Sequence, residues 1–151
     1  MNEKAEGWEI RITEMDLFKD LDLKVMREIA DAACTEASYD KGTVIFSEGD
    51  SANSLFILYD GIVDLKIGGE KTVYSLTENS DIFGWSSLVE NAKYTASAVA
   101  KTDIQTIKID AFKLSRVFKT NPLFGLEVYQ RLSAVFNKRL ASIYGRFLSI
   151  Q

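Results

Sequence analysis

The sequence predicts an α+β domain that is mainly β, and three observations carry that prediction. Short apolar segments divided by turn residues fill 37–109, a helical pattern precedes them over 13–34, and a much longer one closes the chain over 123–151. Strands at this spacing build a small antiparallel barrel or sandwich. The 151 residues are enough for one domain with its own core. No linker, repeat or low-complexity stretch divides them. The expected organisation is one domain over 1–151, with N-terminal helices at 13–36, strands over 37–109 and C-terminal helices over 110–151.

In the first helix Asp22 is placed to cap, and Val25, Met26, Ile29, Ala30 and Ala33 recur at helical spacing. Cys34 falls at its end, where a small buried residue is the simpler reading than a reactive thiol. TVIF at 43–46 is β-branched and aromatic, and SEGDSANS at 47–54 reads as a loop. LFILY at 55–59 and IVDLKI at 62–67 flank Asp60-Gly61, a two-residue hairpin signal. Gly68-Gly69 then turns into KTVYSL at 71–76. YTASAVA at 94–100 and IQTIKI at 104–109 alternate as half-buried strands do. Asp110 can cap a short helix, and Asn121-Pro122 supplies a cap and a first-turn proline for the last one.

That last helix carries a heptad pattern. Leu126, Leu140 and Phe147 share one position, with Ser133 the exception, and Tyr129, Phe136, Ile143 and Ile150 share the other. The pattern predicts a coiled-coil seam and a homodimer, although a helix packed on its own barrel can show a similar stripe. Gly125 and Gly145 weaken the helix locally and permit a bend or a close approach.

Composition narrows the function. There is no histidine, which removes the commonest general base and metal ligand, Cys/His zinc sites and histidine-held haem. The acids are scattered singly over turns and helix faces, so neither catalytic residues nor a metal site is expected, and an enzyme is not. One cysteine excludes an internal disulfide and suits a cytoplasmic location. The apolar runs fall far short of the roughly 20 residues that span a bilayer, and the acidic N-terminus is not a signal peptide. Residues 1–110 carry 11 Lys+Arg against 21 Asp+Glu, whereas 111–151 carry 7 against 1. Those basic residues spread over about eleven helical turns, which favours a solvated face over a nucleic-acid site.

DIFGWSSL at 81–88, followed by KYTASAVA at 93–100, places a glycine turn and a short helical start beside a strand. Unpaired N–H groups there suit an anion. With LFKDLD at 17–22, GTVIFSEGDSANSLFILYDGIVDLKI at 42–67 and the helix at 121–148, the chain resembles the cyclic-nucleotide-binding domain family, the effector half of catabolite-activator-type regulators. The resemblance implies a double-stranded antiparallel β-roll (jelly-roll-like barrel) with N-terminal helices and a long C-terminal dimerisation helix. It makes 82–88 the phosphate-binding cassette. Gly84, Ser86, Ser87 and Thr95 then match the phosphate cradle, Phe83 belongs to the same ligand-binding set, and Tyr144 on the long helix is placed to stack on a base or to donate its hydroxyl.

Two positions depart from the family pattern. The family's Glu after the glycine, which holds the ribose, is Trp85, and its Arg before the Ser/Thr, which pairs with the phosphate, is Tyr94. Losing two hydrogen bonds to charged groups costs about 3–6 kcal/mol. Three outcomes remain open: a pocket filled by its own aromatic side chains, a different small ligand, or ordinary cAMP or cGMP binding. The resemblance therefore implies a regulatory ligand-sensing domain with no certain cofactor, and the alternative is a ligand-free dimerisation module. Some regulators of the family carry a helix-turn-helix beyond the dimer helix. None follows here, so direct DNA binding is not expected, and the downstream protein partner is unspecified.

Overall fold

The computed structural model describes residues 11–150, without the side chain of Ile150. The acidic segment 1–10 and Gln151 lie outside the described residues. After a helical stretch at 11–13 and turns over 14–20, α1 spans Leu23–Ala33. Asp22 caps it, its carboxylate accepting from the Lys24 and Val25 N–H groups at 2.8 and 3.2 Å. Eight strands follow: β1 (Cys34–Tyr39), β2 (Val44–Phe46), β3 (Ser54–Asp60), β4 (Val63–Ile67), β5 (Lys71–Leu76), β6 (Ile82–Phe83), β7 (Ser97–Ala100) and β8 (Ile104–Asp110). A 3-10 turn at Trp85–Leu88 lies between β6 and β7, and α2 (Ala111–Thr120) and α3 (Pro122–Ile150) end the chain.

The strands form two antiparallel four-stranded sheets, ordered β1-β8-β3-β6 and β2-β7-β4-β5. Phe56, Leu58, Val63, Leu76, Phe83, Ala98, Ala100 and Ile104 fill the space between them. Leu55, Ile57, Ile107 and Ile109 face the other way and meet Met26, Ile29, Leu114, Val117, Phe124, Val128 and Leu132 of the helices. Both faces of β3 are therefore covered, which explains why its segment is continuously apolar rather than alternating.

Several sequence expectations need correction. The first strand starts at Cys34, three residues before the expected 37, so the helical region does not reach 36. Cys34 is buried, and burial pushes its thiol up to about 12. The Asp60-Gly61 turn is not a hairpin, because β3 and β4 belong to different sheets. It is the corner where the chain changes sheet. Gly61, at φ 98°, lies so close to Asp103 and Ile104 that an added Cβ would fall 2.4 Å from the Asp103 carbonyl oxygen. The hairpin is at Gly68-Gly69, where β4 pairs with β5. The 94–100 segment is strand only from Ser97. Before it, Tyr94 is tied to the 47–53 loop: its N–H donates to Asp50 C=O, and its carbonyl accepts from Gly49 N–H.

Asp110 caps α2 by accepting from Lys113 N–H at 2.9 Å. Asn121 closes the turn between the last two helices differently from expectation. Its carbonyl accepts from Gly125 N–H, while its side-chain amide donates back to Val117 C=O. Gly125 permits close approach, since a Cβ there would meet Phe118 at 2.9 Å. Gly145 has nothing within 4 Å and serves no such contact.

Candidate functional site

The sheet order brings the expected cassette against the long helix. β6 pairs with β3 through Phe56↔Phe83 and Ile57↔Ile82, which fixes the turn that follows. Gly84 takes the left-handed φ of 79° needed to leave the strand. A Cβ there would lie 2.8 Å from Ser54 C=O, so both conformation and space require glycine. The 3-10 turn then closes on itself, because Ser87 Oγ donates to Gly84 C=O at 2.8 Å. Ser87 is spent on this turn and does not line the cleft.

The cleft is lined by Phe46, Leu65, Phe83, Gly84, Trp85, Ser86, Tyr94, Thr95, Ala96 and Arg139, and its volume is about 60 Å³. Sites for drug-sized ligands usually offer about 300–1,000 Å³. The aromatic side chains account for the difference. Tyr94 is buried and lies parallel to Phe46, with ring centroids 3.7 Å apart. Phe46 in turn packs against Phe56 and Phe83. The Tyr94 hydroxyl accepts from Ser54 N–H at 3.1 Å and donates to Ser54 C=O at 2.7 Å. Burial pushes its pKa up, with the backbone of Ser54 and Asn53 acting the other way. The hydroxyl is thus committed to the fold rather than offered to a phosphate.

Tyr94→Phe should therefore cost about 1–3 kcal/mol, the usual range for removing one partner of a buried polar pair. Urea denaturation measures it. A variant as stable as the parent would show that the hydroxyl is dispensable to the fold and available to a ligand.

Trp85 is equally engaged. Its ring meets Phe136 of α3 edge-on at a centroid distance of 4.7 Å. On its other contact, the Arg139 guanidinium lies 4.5 Å from the Trp85 centroid and 4.7 Å from that of Tyr74. Arg139 Nη1 donates to Ile82 C=O at 2.8 Å. The residue is only 5% exposed, and no carboxylate forms an ion pair with it among the described residues. Burial lowers its pKa, while Tyr74 and Asp81 oppose that shift. Arg139 also lines a second cavity of about 340 Å³ between α3 and the β5–β6 connection.

Of the residues expected at the site, Phe83, Gly84, Trp85, Ser86, Tyr94 and Thr95 come together, and Thr95 is exposed at the mouth. Tyr144 does not join them: it is 62% exposed, five residues beyond Arg139, and is not among the residues lining the cleft. Phe136, expected in the dimer seam, turns inward onto Trp85. Sequence reasoning missed Arg139, Phe46 and Tyr74. The signal for Arg139 was its spacing, since it lies three residues after Phe136 and thus on the same helix face.

Comparison with known proteins agrees with this fold. The model of the family described as "Cyclic nucleotide-binding domain" matches residues 36–121. A cAMP-dependent protein kinase regulatory subunit from Candida albicans is 33% identical over 87% of this chain, which spans 25% of that relative's length. A crystal structure from Geobacter metallireducens, assigned to the cyclic nucleotide-binding proteins, superposes with a TM-score of 0.77 at 30% identity, covering 87% of this chain and 96% of that one. A cyclic nucleotide-binding domain from Methylobacillus flagellatus gives 0.79 at 20% identity, covering 98% and 84%, and shows the fold alone.

Proposed function

The chain belongs to the cyclic nucleotide-binding domain family, and from that premise we propose that it is a regulatory, ligand-sensing domain whose cleft has been rebuilt away from cAMP and cGMP. The observation that carries this reading is the packing of Trp85 and Tyr94. They stand where the family pattern has its ribose and phosphate side chains, and both are held by the protein's own groups. A cyclic nucleotide would have to displace Trp85 from Phe136 and would find no cassette arginine. The loss of about 3–6 kcal/mol corresponds to roughly a hundredfold or more in affinity.

The long helix is the output element in this reading. Phe136 and Arg139 place it on the cassette, so a ligand that favours one arrangement of these contacts biases the helix. The exposed apolar stripe of α3 beside these contacts is proposed to pair with a second copy of the chain. No described helix is long and apolar enough to cross a membrane. A ligand-free dimerisation module is the second reading, favoured by the small cleft volume.

Calorimetric titration with cAMP and cGMP tests the first reading. The expected result is no saturable heat at micromolar nucleotide. A micromolar or tighter Kd for either one would overturn the proposal that the cleft has been rebuilt.

A further inference from the structure

Arg139 poses a problem that packing alone does not resolve. A guanidinium carries five N–H donors in a fixed fork. Here one nitrogen reaches Ile82 C=O at 2.8 Å, a side-chain hydrogen bond joins the group to Tyr74, it lies against the Tyr74 and Trp85 rings, and the Asp81 charge favours its protonated form, yet among the described residues no carboxylate forms an ion pair with it. Its close partners are neutral and Asp81 makes no ion pair with it, so a directly bound anion would compensate the buried charge further. The same cleft holds the Gly84-Ser86 turn and the Thr95 hydroxyl, and otherwise aromatic and aliphatic groups. It is a site with one strong charge, and that charge is positive.

Resting on the ligand-sensing reading above, we infer that Arg139 is the anion-pairing group of this cleft, delivered by the long helix in place of the cassette cation that Tyr94 has replaced, and that the ligand it takes is a compact oxyanion, a phosphate or a carboxylate without a nucleoside. Size supports the choice. A volume of about 60 Å³ is a small fraction of the roughly 300–1,000 Å³ usual for drug-sized sites, which suits an oxyanion and not a nucleotide. Geometry supports it as well: Arg139 and Thr95 line one small cleft from opposite elements, α3 and the segment before β7. Placing the cation on α3 gives the site its regulatory meaning. In a site with the cation on the cassette, the anion is held by the roll alone. Here the oxyanion bridges roll and helix, so binding it fixes the helix directly.

Trp85 reports on the contact. Trp8 and Trp85 are the two tryptophans, so Trp8→Phe leaves Trp85 as the single indole. Its emission would be followed during titration with sodium phosphate and, separately, sodium acetate, each against sodium chloride of equal ionic strength. The expected result is a saturable change with phosphate or acetate at millimolar concentrations, beyond that given by chloride, and whichever anion saturates first identifies the preferred oxyanion. Arg139→Met should weaken that response about ten- to a hundredfold, while Arg139→Lys should retain part of it. Circular dichroism of both variants establishes that they fold. If Arg139→Met fails to fold, the Arg139→Lys titration decides, and a response identical to the parent's would overturn the inference, since lysine cannot reproduce the guanidinium fork. An unchanged response in folded Arg139→Met overturns it too, as does the absence of any saturable change in the parent. None of these outcomes alters the cyclic-nucleotide titration, so failure here is separable from failure of the proposed function.

Discussion

A Gly61→Ala variant loses about 2–5 kcal/mol of stability in urea denaturation, whereas Gly68→Ala loses about 1–2. Both glycines have positive φ, 98° and 59°, so both substitutions incur backbone strain. The surroundings differ. A Cβ at Gly68 meets nothing within 4 Å, while one at Gly61 falls 2.4 Å from Asp103 C=O, 2.7 Å from Ile104 Cγ2 and 2.9 Å from Thr102 Oγ1. Backbone cannot move aside as a flexible side chain can. The same corner is cross-linked by Ile62 N–H donating to Thr102 Oγ1 and Lys101 N–H donating to Ile62 C=O. Pushing the two segments apart would break these bonds as well. A typical domain has about 5–15 kcal/mol in total, so the Gly61 variant should lose a substantial share of its stability and unfold at clearly lower urea. Equal losses at both positions would mean that strain alone, and not the close approach at the sheet-to-sheet corner, accounts for the glycine.

That corner also shows where the sequence could be read and where it could not. Period and turn residues located β2 through β5 and β8 closely, and Asp22 and Asp110 cap the helices they were expected to cap. Both signals are local, and local signals survive folding. Pairing is not local. Asp60-Gly61 carries a hairpin's residues, yet the glycine is required by contact with Asp103 and Ile104, more than forty residues away in sequence. β1 was partly hidden because CTEASY carries a weak strand pattern, with three of its six residues exposed. In the cleft, Trp85 and Tyr94 were visible as departures from a family pattern, but what holds them was not. Phe46 comes from β2 and Arg139 from α3, and only the assembled fold brings them to the cassette. Tyr144 failed because helical phase decides which side chains face the roll. Phe136 and Arg139 occupy that face, and it leaves Tyr144 in solvent.

The same phase argument yields the second large effect: a Leu140→Lys, Ile143→Lys double variant should be monomeric at concentrations where the parent is a dimer. Leu126, Tyr129, Leu140, Ile143 and Phe147 remain between 37% and 61% exposed along one stripe of α3. The roll's contacts with the helix use Val128, Leu132, Phe136 and Arg139 and leave these five partly exposed, although Tyr129 also meets Phe118 of α2 edge-on. Arg146 donates to Val73 C=O and carries the docked face further along the helix. The apolar stripe thus borders the docked face, placed for a second helix to pack alongside it, with Phe136 removed from the expected set. Burying a Leu or Ile side chain fully contributes about 1.5–3 kcal/mol, and the double change alters four side chains per dimer. Even partial burial makes a loss of about 4 kcal/mol reasonable, roughly a thousandfold in the dimer constant. Sedimentation velocity measures it directly. Phe136→Ala serves as the internal contrast: it should loosen Trp85 and leave the dimer intact. A parent chain that sediments as a monomer at high micromolar concentration would remove the self-association proposal, and a dimer that survives both lysines would place the interface elsewhere.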